Sequence, residues 1–339
     1  MPRVRPVAKP ISLNEEQRVV VGTSDGSWQC LAGPGSGKSA CLCARFTRLI
    51  QEGVDPNSAI SLSFTKTAAK NLRDRVEAQT GTLSINRTAG CLTFHSVALS
   101  FAQEERSEFN FELAEFPLAD EVVANRLAGE AARRLEVDPR KLREFASLQK
   151  RRRIRPESAI KSAELSGKPA EIKLALAYKG YQKKLVESGV LDFDSCIMEM
   201  VEILDRKPAV RARWTYDYLQ IDEAQDCAKI EWDLAKLISG KSVLAVGDIS
   251  QGLYSFRGGD SRLFAEMDQI FPGTKTLYLS CNYRSTPEII DFIRPHAQSK
   301  GLAEKFHTPN SSGPVPRVIG FNSSIDEATW VVNQIRGVP

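Results

Sequence analysis

No run of apolar residues in this 339-residue chain approaches the length of a membrane span, which excludes a helical membrane protein. The opening residues, Met1-Pro2-Arg3-Val4-Arg5, lack the apolar stretch of a secretory signal. The expectation is an intracellular, cytoplasmic chain with no membrane partner. Paired cysteine motifs are missing too. The seven cysteines (Cys30, Cys41, Cys43, Cys91, Cys196, Cys227 and Cys281) contain no CxxC matched by a second, which argues against a zinc ribbon. An odd number in a reducing compartment reads as free, mostly buried thiols. A strong charge of one sign is also absent. The net charge of +4 permits a polyanion partner without demanding one. There is no internal repeat and no long low-complexity tract. At 42% hydrophobic and 26% charged residues the composition is that of an ordinary globular protein. Its length predicts two or three domains.

Strand and helix signals alternate after a proline-rich, basic arm of about a dozen residues. Trp28 to Ala32 reads as a strand, Lys38 to Gln51 as a helix, Ala59 to Phe64 as a strand and Thr67 to Ala78 as a helix. Cys91 to Phe94 is a third strand candidate. From about Val97 to Gly189 strand signals vanish, and Ala, Glu, Lys, Arg and Leu at helical spacing predict a helical insertion. Strands resume at Tyr216 to Ile221, Ser242 to Val246 and Thr276 to Leu279. Helices are predicted at Pro287 to Arg294 and Ile325 to Ile335. Apolar strands alternating with helices imply a parallel sheet covered on both faces.

Ala32-Gly33-Pro34-Gly35-Ser36-Gly37-Lys38-Ser39 fits G-x-x-x-x-G-K-[ST], with alanine in the first position. Glycines let backbone N–H groups close on phosphates, and the helix start adds a positive dipole. Lys38 is placed to reach the β- and γ-phosphates of ATP and Ser39 to bind Mg2+. The bland alternative is a tight glycine turn without a ligand. The apolar run Tyr216 to Ile221 ends in Asp222-Glu223-Ala224-Gln225-Asp226. A carboxylate at the end of a buried strand is placed to hold Mg2+, and Glu223 to polarise the attacking water. The alternative there is a solvated acidic cap. Gly247-Asp248-Ile249-Ser250-Gln251 follows another apolar strand, so that the Gln251 amide could sense the γ-phosphate. Alone that signal is weak.

These three pieces, in this order, resemble the UvrD/Rep/PcrA helicases of superfamily 1A. Leu13 to Gln17 resembles the family's Q motif, Ser63 to Ala69 motif Ia, and Thr93 to Ser96 motif Ib. Ile221 to Asp226 has the DExQD form of motif II. Gly247 to Gly258 is similar to motif III, and Asn282 to Thr286 to motif IV. Leu191 to Asp194 resembles a segment found before motif II. The resemblance covers roughly residues 11 to 335 and implies a RecA-like P-loop NTPase fold: an ATP-binding domain of residues 1–97 and 190–281, a helical insertion of residues 98–189, and a partial second RecA-like domain of residues 282–339. It further implies ATP hydrolysis with Mg2+, coupled to 3′-to-5′ movement on single-stranded DNA and unwinding at single-strand/duplex junctions, in a nucleoid-associated DNA-repair setting. By position, Gln17 would bond adenine and Tyr283 stack on it. Gln251 would couple the γ-phosphate to DNA movement, and Arg284 would be an arginine finger.

For the nucleic acid, Phe64, Thr65, Lys66, His95, Tyr254, Phe256 and Arg257 stand where the family lines its single strand. Aromatic rings there could stack bases and basic groups track phosphates. A core position is the alternative for the rings. Lys150-Arg151-Arg152-Arg153-Ile154-Arg155, the densest basic run, would neutralise phosphates of duplex ahead of a fork; the alternative is a solvated basic face. Family motifs V and VI have no counterpart before Pro339. The rival expectation is therefore a non-unwinding ATP- and DNA-binding module, or half of a split helicase whose protein partner supplies the other half. A P-loop kinase of small molecules would have no use for the segments around Gln251 and Tyr283.

Overall fold

The computed structural model describes residues 12–81, 90–252, 258–296 and 305–337. Helix α1 (Glu15–Val21) opens on a capping box. The Asn14 side chain accepts the Gln17 N–H, and the Gln17 side chain accepts the Asn14 N–H. Strand β1 (Gly26–Ala32) runs into α2 (Lys38–Gln51), β2 (Ala59–Ser63) into α3 (Lys66–Thr80), and β3 (Gly90–Thr93) into α4 (Phe94–Glu104). Every residue of β2 is buried, as a strand covered on both faces requires. Thr65, two residues past β2, and Thr93, the last residue of β3, each cap the next helix. That is why Phe94 begins a helix, although its apolar character fits the strand before it.

Four helices then follow without a strand: α5 (Glu121–Ala132), α6 (Pro139–Arg151), α7 (Pro156–Ser166) and α8 (Pro169–Glu187). Helices α9 (Phe193–Arg206) and α10 (Pro208–Arg213) return the chain to β4 (Tyr216–Ile221). Next come α11 (Lys229–Ile238), β5 (Ser239–Gly247), α12 (Ser261–Ala265), α13 (Met267–Ile270), β6 (Lys275–Leu279), α14 (Pro287–Ile293) and α15 (Ser324–Arg336).

The strands form one parallel six-stranded sheet in the order β3-β2-β4-β5-β1-β6. Ala32 lies beside Leu279 and Leu31 beside Gly247. Ile221 lies beside Ala245 on one side and Leu62 on the other. All carboxyl ends therefore share one rim, where ligands of open α/β sheets bind. Apolar clusters cover both faces. One joins Phe101, Trp214, Ile221, Trp232 and Phe264; the other joins Leu42, Phe46, Leu72, Val76 and Val246. A third cluster, with Leu127, Leu142, Tyr178 and Leu185, is confined to the α5–α8 region. Helix α4 packs its Val97 and Phe101 into the first of these clusters. All seven cysteines are buried and free, as expected. None of the described helices is long and apolar enough to cross a membrane.

The basic run from Lys150 to Arg155 sits at the end of α6, and most of it is neither a phosphate-facing surface nor a solvated one. Lys150 is completely buried and bonds Asp192 at 2.6 Å, between the rings of Tyr178 and Tyr181. Arg151 is buried against Glu231, Arg153 pairs with Asp205 and Asp233, and Arg155 with Glu199 and Glu202. All of these partners lie on α11, on α9 or at its start. The run is a clasp that fastens the α5–α8 region to α9 and α11.

Candidate nucleotide and nucleic-acid site

The loop from Gly33 to Gly37 is built for close approach. Gly35 and Gly37 have φ of 64° and 86°, in the left-handed region that glycine enters without strain. A Cβ on Gly35 would come within 2.7 Å of the Arg284 Cβ, and one on Gly37 within 2.8 Å of the Gln17 Nε2. Ala32, by contrast, ends β1 with normal strand pairing and is fully buried. Its position therefore needs no glycine, which accounts for the departure from the usual pattern. The Ser36 hydroxyl donates to the Gly33 carbonyl at 2.8 Å and fixes the curve of the loop. Pro34 sits between these two residues, and Lys38 and Ser39 form the first turn of α2.

The residues after β6 close over the loop. Tyr283 N–H donates to the Gly35 carbonyl at 3.0 Å, and Asn282 Oδ1 accepts the Arg284 N–H at 2.7 Å. Gln17 reaches the loop from α1, its Nε2 donating to the Ser36 carbonyl at 3.0 Å. The Asn14 amide donates to the Tyr283 hydroxyl at 2.8 Å. Gln17 is buried and Tyr283 half-exposed. One amide hydrogen and one lone pair of Gln17 are left over for a base edge.

Asp222 leaves β4 buried, its N–H bonded to the Leu62 carbonyl. Burial first, then the neighbouring Glu223 carboxylate, push its carboxyl from 3.8 up to about 6, against the opposing pull of Lys38, the Glu223 N–H and Ser39. A buried carboxylate this poorly compensated, beside the Ser39 hydroxyl, suits a cation, so Ser39 and Asp222 fit Mg2+. Glu223 stands at φ 51°, rare for a residue with a side chain and a conformation that stores strain. The turn aims its carboxylate at the Gln225 amide, which donates to it at 3.0 Å. Gln225 Oε1 in turn accepts the Asp248 N–H at 2.9 Å, and the Asp248 carboxylate accepts from Gln251 Nε2 at 2.6 Å. Glu223 and Gln251 are thus the ends of one chain of hydrogen bonds through buried Gln225. Sequence reasoning gave Gln225 no role; its only signal was its place in the DExQD string.

The raised Asp222 carboxyl has a testable consequence. The unfolded group ionises near 3.8 and the folded one near 6, so the folded chain holds the extra proton between these values and loses stability as pH rises through them. At about 1.4 kcal/mol per unit, the penalty above that window is roughly 3 kcal/mol. Asp222→Asn should therefore raise the melting temperature of the ligand-free chain by several degrees at about pH 8 and by almost nothing at about pH 4. An equal gain at both, measured by calorimetry, would mean that ionisation is not its cause.

The nucleic-acid candidates lie on the same rim, over its other end. Phe64 and Thr65 follow β2, and Lys66 starts α3. The Thr65 hydroxyl accepts the Ala68 N–H as a helix cap, while Lys66 is exposed. His95 lies in the first turn of α4 after β3, the edge strand beside β2, and its ring meets that of Phe193 edge-on at 5.7 Å. Phe193 is 49% exposed, an accessible ring in the Leu191 to Asp194 segment that no sequence signal marks as a nucleic-acid contact. Tyr254, Phe256 and Arg257 lie outside the described residues. The sheet order thus separates two groups: Lys38, Asp222, Glu223, Gln251 and Arg284 above β4-β5-β1-β6, and Phe64, Lys66 and His95 above β3-β2.

Residues 13–272 match the UvrD/REP helicase N-terminal domain. The chain is 30% identical over 337 residues to the ATP-dependent DNA helicase PcrA of Staphylococcus epidermidis, an alignment covering 96% of this chain and 45% of that protein. It is 28% identical over 336 residues to PcrA of Staphylococcus aureus, again covering 45% of the relative. The chain therefore spans about half the length of these relatives. With the parallel sheet and the loop geometry, the match over residues 13–272 places the chain in the UvrD/REP helicase family, by that family's N-terminal domain.

Proposed function

We propose that this chain binds and hydrolyses Mg-ATP and couples hydrolysis to 3′-to-5′ movement on single-stranded DNA, unwinding duplex at junctions. The observation that carries the reading is the convergence of Lys38, Ser39, Asp222, Glu223, Gln251 and Arg284 on one rim, next to the Phe64–His95 group. In this reading Lys38 draws the β- and γ-phosphates onto the Gly33–Gly37 loop. Glu223 takes the proton of the attacking water, and Arg284 balances charge on the transferring phosphoryl group. Gln17 and Tyr283 receive the adenine. Ser39 and Asp222 would hold Mg2+, which would neutralise charge at the phosphates when bound. Phe64, Thr65, Lys66 and His95 line the single strand, with Tyr254, Phe256 and Arg257 as further contacts.

The division into an ATP-binding unit (1–97 and 190–281), a helical insertion (98–189) and part of a second motor domain (282–339) belongs to the same proposal. So do a cytoplasmic, nucleoid-associated setting and a DNA-repair context. The separate apolar cluster of the α5–α8 region supports the first division.

A second reading has its own support. Helix α15 has no buried residue, and Trp330, Val331 and Ile335 face outward. Side chains so little packed suit contact with further protein, and the second reading is a non-unwinding ATP- and DNA-binding module or one half of a split helicase. One experiment separates the two: ATPase activity of the 339-residue chain with and without oligo-dT, beside unwinding of a forked duplex. Stimulated hydrolysis with unwinding supports the motor, and stimulated hydrolysis alone the module. No hydrolysis in either condition sinks both.

A further inference from the structure

Arg151 ends α6 in the helical insertion, yet its side chain lies inside the α/β core, 7% exposed. Its guanidinium is loosely held. Nη2 stands 3.4 and 3.5 Å from the two Glu231 oxygens, and Nε has no hydrogen-bond partner among the described residues. Glu231 is shared, since its Oε2 also accepts the Ala228 N–H at 2.6 Å at the start of α11. What the guanidinium does face is the Phe64 ring, 6.0 Å from the ring centroid. Its stem packs on Gly258, where a Cβ would come within 3.3 Å of the Arg151 Cβ. That glycine begins the stretch in which Gly259 bridges to Ala228 and the Asp260 N–H bonds the Cys227 carbonyl. One side chain of the insertion therefore touches three parts of the core: the residue after β2, the start of α11, and the segment stitched to it.

An arginine optimised for an ion pair alone would take a bidentate, closer geometry. This one gives up that geometry and keeps a cation over an aromatic face at a water-poor site, where the attraction is strongest. We propose that Arg151 is a positioning residue: its guanidinium, anchored by Glu231, holds the Phe64 ring at the orientation in which a DNA base stacks on it, and so transmits the seating of the helical insertion to the single-strand site. The inference rests on the reading of Phe64 as a DNA contact. The neighbouring arginines differ: Arg153 and Arg155 pair with carboxylates of α9 and α11.

The test is a double-mutant cycle read by the Kd of the full chain for fluorescently labelled oligo-dT. Arg151→Met keeps the stem and removes the cation. It should weaken binding about 5–10-fold, from a desolvated cation–π contact and the ring it orders. In a Phe64→Ala background the same change should cost less than about twofold, because an interaction acting through the ring vanishes with it. Arg153→Ala, which loosens the clasp elsewhere, should leave Kd within about twofold of the parent. If Arg151→Met does not fold, Arg151→Lys is measured the same way, with about 2–3-fold weakening expected because the flat guanidinium is lost while the charge stays. Equal losses in both backgrounds, or the same loss from Arg153→Ala, would reduce Arg151 to a structural clasp and overturn the proposal. So would an unchanged Kd in Arg151→Met. Failure of the parent to bind oligo-dT, or no effect of Phe64→Ala, strikes instead at the reading of Phe64 and removes both.

Discussion

Glu223→Gln should bind ATP as the parent does and hydrolyse it about 10²–10⁴-fold more slowly. The substitution exchanges one carboxylate oxygen for an amide nitrogen and changes the volume little. The Asp222 carboxylate still accepts the residue's N–H, so the left-handed turn at position 223 keeps its anchor. The Gln225 amide has donated to a carboxylate oxygen and can donate to the remaining amide oxygen. What disappears is the capacity to take a proton from water. Lys38→Ala gives the opposite split. It removes the cation at the start of α2 that the proposed function sets against the phosphates, so binding and turnover should fall together. A nucleotide-binding titration beside a phosphate-release assay distinguishes the two variants. If Glu223→Gln turns over at the parental rate, another group is the base; if Lys38→Ala does so, the loop is not the phosphate site.

Much of the candidate nucleotide site is legible in the sequence because the residues that shape it lie close together in the chain. The start of α2 at Lys38 follows from Gly37, whose left-handed backbone no other residue adopts cheaply. The α/β class follows from uninterrupted apolar strands such as β2, buried along its whole length. What stayed hidden depends on partners distant in the chain. The bridging position of Gln225 needs Asp248, the residue after β5, and the contact of Arg151 with Phe64 joins residues from separate parts of the fold. The basic run is the sharpest case. Charge density alone suggested a phosphate-binding or solvated face, because a sequence records the cations and not the carboxylates that fold against them. The acidic partners Asp192, Glu199, Glu202, Asp205, Glu231 and Asp233 are scattered through α9 and α11 and the residue before α9.

That clasp sets the largest stability effect expected. Lys150→Met should destabilise the chain by about 3 kcal/mol, since removing one partner of a buried ion pair leaves the other charge uncompensated. In the parent, burial alone would raise the Asp192 carboxyl. The Lys150 ammonium and the Ser195 N–H outweigh it and hold the group below the usual carboxylate range. A depressed carboxyl contributes stability above its unfolded value of 3.8 and loses it as pH falls further. The deficit of Lys150→Met should therefore be full near neutrality and shrink below about pH 4, where Asp192 is protonated in the unfolded chain. A second change identifies the cause. Asp192→Asn keeps an acceptor for the Ser195 N–H at the start of α9 and removes the charge, so in the Lys150→Met background it should recover a large part of the loss. Methionine can occupy the space between Tyr178 and Tyr181, whose rings now flank the ammonium. Urea unfolding of the parent, both single variants and the double variant yields the coupling directly. Additive losses would show that Lys150 and Asp192 act independently, and the clasp would then rest on Arg151, Arg153 and Arg155 alone.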